Sequence, residues 1–401
     1  MKRCEKCRAM IPDKAIFCPE CGAKNQEIKS LKKSHKKSFV IILCLIGIIA
    51  GTVFAVNKFM LSNNEQNGVK NKQTVLYDHY IYYIDDGTLY QKEADGKFTN
   101  SIMKIPQERK DSTDTYKNLV IYNQRLYAIR QELSGDTREF YIVSMNLDGT
   151  EYKKEVTPPK FKNENGESYM GWMESFSIED DKIYYTYTDY PVAFYSIYKH
   201  DIGSSKSVKT KYDREETPVL FGKYAYYIKD EYEQTEGEPI VIKRNLETQK
   251  ETEALSAQET KGDRNSLGIG KGRIVLSAGS SIIWRTSDDD GGYDIYDATE
   301  NSSLVYITNM DDEEIIYKAD DIYYRLNLKD KNSERLFSET DIENEFGANV
   351  IGIDKVGDTL AFYGNFNGDE TDTFLFFIKE EDGKDYESKI RQMIGRYQDL
   401  K

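Results

Sequence analysis

Hydrophobic and polar positions along the chain fall into three regimes. From Phe39 to Val56, eighteen residues (FVIILCLIGIIAGTVFAV) run without a charge. As a helix they would cover about 27 Å, close to the hydrocarbon thickness of a bilayer. The chain before that run is short and polar. Beyond a polar stretch from Asn57 to Gln73, short apolar strands alternate with tight polar turns. One unit recurs: an apolar strand, a polar turn, then a second strand that often opens Ile-Tyr-Tyr. Its seven copies begin at Thr74, Leu119, Ser175, Pro218, Ser266, Leu304 and Val350. Their second strands open at Ile81, Leu126, Ile183, Ala225, Ile274, Ile315 and Leu360.

A third strand ending in a turn follows in five copies, as in GTLYQKEADG from Gly87 and DIYYRLNLKD from Asp321. Copies recur roughly every 45 residues with three or four strands each, the signature of a β-propeller. One such sheet cannot bury both faces, whereas a ring of them can. The expected fold class is therefore all-β: a propeller of six to eight blades, seven favoured, over residues 74–401. A β-sandwich would also have alternating strands, but they would not recur as ordered triplets. Near the end, Ile390, Met393, Ile394 and Tyr397 have the i, i+3, i+4, i+7 spacing of a short helix docked on the ring.

The run Ile-Tyr-Tyr-Ile-Asp from Ile81, followed by Leu-Tyr and Asp-Gly, resembles the blade of low-density-lipoprotein-receptor-type propellers. It is closer still to relatives of these found in bacterial membrane proteins. The likeness spans residues 74–380 and implies an extracellular propeller. Two departures stand out: the fifth copy has no aromatic in its second strand, and receptor propellers have six blades against seven units here.

Cysteines lie only at the N-terminal end. Cys4, Cys7, Cys18 and Cys21 form C-x2-C, ten residues, C-x2-C, and Cys44 lies in the apolar run. Two such turns place four thiolates around one ion in a closed tetrahedron, so the expected cofactor is one structural Zn²⁺ per chain. Ala9–Ile11 and Ala15–Phe17 can pair as a hairpin around Pro12-Asp13-Lys14. So few residues have almost no core, and metal would supply most of their folding free energy. Residues 4–25 resemble the zinc ribbon at the N-terminus of many bacterial membrane proteins, with Arg8 where a Gly is common. Two disulfides, or a redox C-x2-C, are the rivals. A redox pair would open a helix in a thioredoxin-like unit, and none surrounds these residues.

Charge separates the same regions. Residues 1–38 carry eleven Lys+Arg against four Asp+Glu, and residues 57–401 carry 44 against 65. The basic segment 29–38, with Lys29, Lys32, Lys33, Lys36 and Lys37, places the N-terminus in the cytoplasm and the large domain outside. Its partner is the lipid bilayer. It has no interleaved aromatic, so no nucleic-acid role is expected. Val53-Phe54-Ala55 would suit a signal peptidase, but a metal module would be wasted in a discarded leader, and an uncleaved anchor over 39–56 is expected. The domains are thus a ribbon (1–28), a basic segment (29–38), an anchor helix (39–56), a polar stalk (57–73) and the propeller with its C-terminal helix (74–401).

Catalytic chemistry is thinly represented outside the membrane. There is no cysteine there, and His79 and His200 each stand beside a strand turn, where surface or turn roles explain them. Ser287–Gly291 partly matches the Asp-rich turn of sialidase-like propellers but lacks its Trp. Asp85-Asp86-Gly87 and Asn365–Asp372 are acidic turns that hairpin geometry alone accounts for, and neither reproduces a twelve-residue calcium loop. No catalytic or cofactor-binding residue is expected beyond the four zinc ligands. The expected function is non-enzymatic binding or sensing of an extracellular polymer, peptide or protein, with a cytoplasmic protein partner engaged by the ribbon. The competing reading is a membrane-tethered hydrolase or lyase acting on cell-surface glycan through propeller carboxylates.

Overall fold

The computed structural model describes residues 2–4, 6–11, 20–21 and 72–399, apart from 95–98, 108, 110–111, 136, 163–165, 167, 190–193, 216, 230–239, 257–263, 271, 287–291, 299–304, 312, 370–371 and 380–384. Cys18, the basic segment, the apolar run 39–56 and the loop Ser287–Gly291 lie outside the described residues. Among the described residues no helix is long and apolar enough to cross a membrane. The chain divides into two compact units, residues 1–60 and 61–401.

In the first unit Lys2–Arg3 pairs antiparallel with Met10–Ile11. The expected hairpin partner of that strand, Ala15–Phe17, lies outside the described residues. Arg8 donates its N–H to Cys4 O at 2.9 Å, and Cys4 N donates to Ala9 O at 2.8 Å. This tight turn puts Arg8 at φ +61°, a left-handed conformation that explains why Gly suits the position.

The second unit consists chiefly of seven successive antiparallel sheets, six of four strands and a last one of three. We number these blades 1 (74–104), 2 (113–156), 3 (176–214), 4 (219–256), 5 (264–297), 6 (305–338) and 7 (348–379). The first strand of each blade neighbours the first strand of the next, and that of blade 7 neighbours that of blade 1. The ring is closed. A short hairpin, Lys160–Lys162 with Ser168–Met170, is inserted between blades 2 and 3.

Burial explains the Ile-Tyr-Tyr signature. A second strand lies inside its blade with a neighbouring blade over each face, so both sets of alternating side chains are apolar. In blade 3, Ile183 and Tyr185 pack with blade 2 while Tyr184 packs with blade 4. In blade 6, Ile315 and Tyr317 face blade 5 and Ile316 faces blade 7. Each hydrophobic cluster of the ring draws residues from two adjacent blades. No blade has a core of its own.

Helix α1 (Glu339–Phe346) was not anticipated, although its signals are ordinary ones. Ser338 Oγ caps it by accepting from Asp341 N at 3.2 Å, and Gly347 ends it at φ +63°. Helix α2 (Tyr386–Asp399) buries Ile390 and Ile394, with Met393 and Tyr397 beside them, on the cluster of blades 6 and 7.

The closing seam differs from the rest. Its cluster holds only Ile81, Val356 and Ala361 as fully buried members. Asp354, itself 1% exposed, supplies a polar latch in compensation. Its Oδ2 accepts from Gln73 N (2.7 Å), Thr74 N (2.9 Å) and Thr74 Oγ1 (2.9 Å), while Oδ1 accepts from Asn309 Nδ2 in blade 6 (3.1 Å). One carboxylate thus ties three blades. Lys72 N donates to Asn118 Oδ1 in blade 2. Buried Lys72 and half-buried Gln73, the last residues before the first strand, are thus bonded to the ring.

Burial pushes the Asp354 carboxyl up to about 6, against the pull of the Lys72 charge and of the Gln73 and Thr74 donors. An unfolded Asp titrates near ~3.9. The group's contribution to stability is therefore complete below about pH 4 and is lost as pH rises through about 6. Asp354→Ala, which strands several buried donors, should lower the unfolding free energy by about 3 kcal/mol. In denaturant titrations the gap between wild type and Asp354→Ala should narrow from pH 4 to pH 7. An unchanged midpoint would mean the seam does not depend on the latch.

Candidate functional site

A cleft of about 720 Å³ opens on one side of the ring where blades 7, 1 and 2 meet. Propellers place first-strand starts and second-to-third-strand turns on a common side, and these form the lining. Blade 1 contributes the turn Asp85-Asp86-Gly87, blade 7 contributes Tyr363, Asn365, Asp372 and Thr373, and blade 2 contributes Thr113–Lys117, Gln131 and Arg138. Trp172, from the connection to blade 3, and Ile351 complete it.

The two acidic turns of the sequence analysis are thus neighbours, although some 280 residues separate them. Each has the backbone expected of a hairpin. Asp86 and Gly87 sit at φ +41° and +62°, the left-handed pair of a tight two-residue turn, and Asn367 sits at φ +52°. Burial, followed by the charge of Asp86, pushes the Asp85 carboxyl above its ordinary range. Asn365 is 6% exposed, and its Oδ1 accepts no hydrogen bond. A buried amide oxygen left this way costs free energy until a donor arrives.

Blade 2 builds the opposite wall. Its first three strands, Thr113–Tyr122, Arg125–Ser134 and Thr137–Asn146, are ten residues long, against three to nine for the strands of other blades. On this extension the Arg138 guanidinium lies 4.7 Å from the Trp172 ring centre and Lys117 Nζ lies 5.7 Å from it. Phe140 packs on Trp172 with ring centres 5.1 Å apart. These are cation–π distances.

An ion cluster with a buried centre and two exposed cations, Arg109 and Lys160, braces that wall. Arg130, 0% exposed, bonds Asp114 at 2.9 Å and lies 3.6 Å from Glu132. Arg109 reaches Glu132 at 3.3 Å and Glu139 at 2.9 Å, and Lys160 reaches Glu139 at 3.3 Å. The Tyr152 hydroxyl accepts from Arg130 at 2.7 Å, and the Tyr141 hydroxyl donates to Glu139 at 2.7 Å. Burial raises the Glu139 carboxyl, but those bonds and the Arg109 charge bring it below its ordinary range. Three cations balance three carboxylates, and the carboxylates and Arg130 are buried while Arg109 and Lys160 reach solvent.

Neither His79 nor His200 lines the cleft. His79 is a turn residue at φ +68°. His200 departs from the surface expectation: it is 3% exposed, its Nδ1 lies 3.1 Å from Ser207 Oγ, and burial lowers its pKa.

In the N-terminal unit the sulfurs of Cys4, Cys7 and Cys21 lie within 4.8 Å of one another, and none is in a disulfide. The Cys4 and Cys21 sulfurs are 3.7 Å apart. Four thiolates at ~2.3 Å from one ion would stand about 3.8 Å apart, so the donor set fits a tetrahedral thiolate site, with Cys18 outside the described residues. Among the described residues this is the sole grouping of three or more His, Cys, Asp or Glu ligand atoms within such reach.

The closed ring of sheets is that of a β-propeller. No protein-family model and no curated protein matches the chain. Similar solved structures include a puromycin-hydrolysing peptidase of Mycobacterium tuberculosis (11% identity, 74% of this chain and 50% of that one, TM-score 0.44). Others are the β-propeller domain of the Trilobed protease of Pyrococcus furiosus (13%, 68% and 83%, 0.39) and an oligogalacturonate lyase of Vibrio parahaemolyticus (12%, 79% and 79%, 0.37). The chain spans half the length of the peptidase.

Removing Arg130 should expose how much the cleft wall depends on its brace. Arg130→Met takes the Arg130 cation from buried Asp114 and leaves Glu132 to Arg109 alone, and should cost about 3 kcal/mol in denaturant unfolding. A loss below ~1 kcal/mol, the scale of exposed pairs, would show that water reaches the cluster.

Proposed function

We propose that the chain is a membrane-anchored binding protein whose propeller captures an extracellular ligand in the cleft of blades 7, 1 and 2. The observation carrying this reading is the cleft itself: a ligand-sized volume whose lining includes Trp172 with Arg138 stacked on it and the turn Asp85-Asp86-Gly87. The apolar run 39–56 anchors the protein, and the lysines before it leave the ribbon in the cytoplasm. There Cys4, Cys7, Cys18 and Cys21 hold one structural Zn²⁺, which shapes a surface for a protein partner. The Cys4–Cys21 sulfur spacing supports that reading. A hydrolase or lyase is the second reading, favoured by the carboxyl groups in the cleft lining, among them Asp85, which burial pushes above its ordinary range.

Three measurements test the proposal. Protease added to intact cells should remove the region after Lys58 and spare residues 1–38; protection of the propeller would reverse the orientation. Purified full-length protein should carry one zinc per chain, and Cys18→Ser or Cys21→Ser should lose it. A mixture of cell-surface peptides and glycans should slow amide exchange at residues 84–87, 113–117 and 363–375. No slowing there would remove the cleft as a binding site, and turnover abolished by Asp85→Asn would favour the enzyme reading.

A further inference from the structure

The charged groups of the cleft are already engaged. Asp86 pairs with Lys104 at 3.1 Å, and Asp114 with Arg130 at 2.9 Å. Asp85 accepts from the backbone N–H of Asp86, and Asp372 too has a partner. Lys117 and Arg138 lie 5.7 and 4.7 Å from the Trp172 ring centre. A charged ligand would have to draw one of these groups away from its partner before gaining a counter-charge. The neutral polar groups are in the opposite condition. Among the described residues the lining hydroxyls of Thr113, Thr115 and Thr373 and the carboxamides of Gln73 and Gln131 have no hydrogen-bond partner.

We infer that the cleft binds an uncharged saccharide through these five side chains. The assignment rests on the cleft being the binding site. Gln131 is the informative residue: it is 7% exposed, yet its amide keeps a donor and an acceptor that the fold leaves unused. Thr115 stands directly opposite it in the blade 2 ladder, and Thr113, two residues along, shares that face. Two hydroxyls and an amide are thus set side by side. A sugar ring answers them with closely spaced hydroxyls that both donate and accept. An extended peptide points its successive amides to opposite sides and meets such a row less densely. Ile351, 53% exposed, adds an apolar contact for the C–H face of a ring.

The test uses full-length protein and defined tetrasaccharides: neutral cellotetraose, chitotetraose and maltotetraose, cationic tetraglucosamine and anionic tetraglucuronate. N-acetyl-trialanine amide serves as a neutral peptide. Calorimetric titrations at about 0.15 M salt, where the acidic surface of the domain is screened, should show a neutral saccharide binding and both charged ones at least tenfold weaker. Gln131→Met and Thr115→Val, each close in shape to the residue replaced, should weaken that binding about three- to tenfold, the scale of one neutral hydrogen bond, with unchanged unfolding midpoints. Saccharide binding that both variants leave intact would overturn the assignment to these side chains. A charged saccharide, or the blocked peptide, bound as tightly as the best neutral saccharide would overturn the ligand class and leave the cleft standing as a site. If no probe binds and none slows amide exchange at the cleft, the class falls; if the surface mixture also leaves those amides unchanged, the binding-site reading falls with it.

Discussion

A propeller must close, and here closure falls on one carboxylate. Neither terminal blade borrows a strand from the other: blade 1 is built entirely from residues 74–104 and blade 7 from 348–379. Among the described residues the joint has no shared backbone ladder, and its apolar cluster has fewer buried members than those of the other six seams. Asp354 offsets both shortages by gathering donors from blades 1 and 6 onto one buried side chain. Other seams have weaker versions of the device. Ser177 Oγ donates to Gly222 O at 2.6 Å, Lys223 N to Glu179 at 2.7 Å and Ile307 N to Ser266 Oγ at 2.6 Å. Polar side chains on the inner strands fix the angle between blades, which nonspecific apolar contact leaves free.

The same closure makes the cleft. Bringing blade 7 beside blade 1 sets the Asn365–Asp372 turn next to Asp85-Asp86-Gly87, and the lengthened strands of blade 2 rise opposite them. A cleft placed at a joint inherits the strength of that joint. The buried Arg130 cluster then holds blade 2 upright, where a ten-residue strand would otherwise project beyond its neighbours.

Much of this architecture was legible because burial leaves a pattern in sequence. Second strands lie between two blades and read as continuous apolar runs, so all seven openings from Ile81 to Leu360 fall on real strands. Fourth strands escaped notice for the opposite reason. Thr99–Lys104 and Ser207–Arg214 form the outer rim, are mostly exposed, and carry no apolar period. The cleft could not be read at all. Asp85 and Asn365 were explained by the local needs of hairpin turns, an explanation that is correct for the backbone of both. Their meeting depends on ring closure, and no local signal records that. His200 was misplaced because a strand end in a propeller can be covered by the next blade, as the neighbouring charge of Glu155 in blade 2 attests.

Ring geometry also accounts for the aromatic composition. Blades splay outward, so side chains deep in a seam are dry while those towards the rim meet water. Tyr fits that gradient, with an apolar ring for the seam and a hydroxyl for its wet end. Tyr184 and Tyr227 are 1% exposed, yet their hydroxyls reach Glu247 and Glu251 at 3.2 and 2.9 Å. Blade 7 is the informative exception. Helices α1 and α2 pack on the cluster it shares with blade 6, and there Phe337, Phe362, Phe366, Phe374 and Phe376 outnumber the buried tyrosines, Tyr323 and Tyr386. Where a helix excludes water a hydroxyl needs a partner within the packing, as Tyr323 finds in Val350 O at 3.2 Å, whereas Phe needs none. The rise in Phe along the chain therefore coincides with the part of the ring on which the two helices pack.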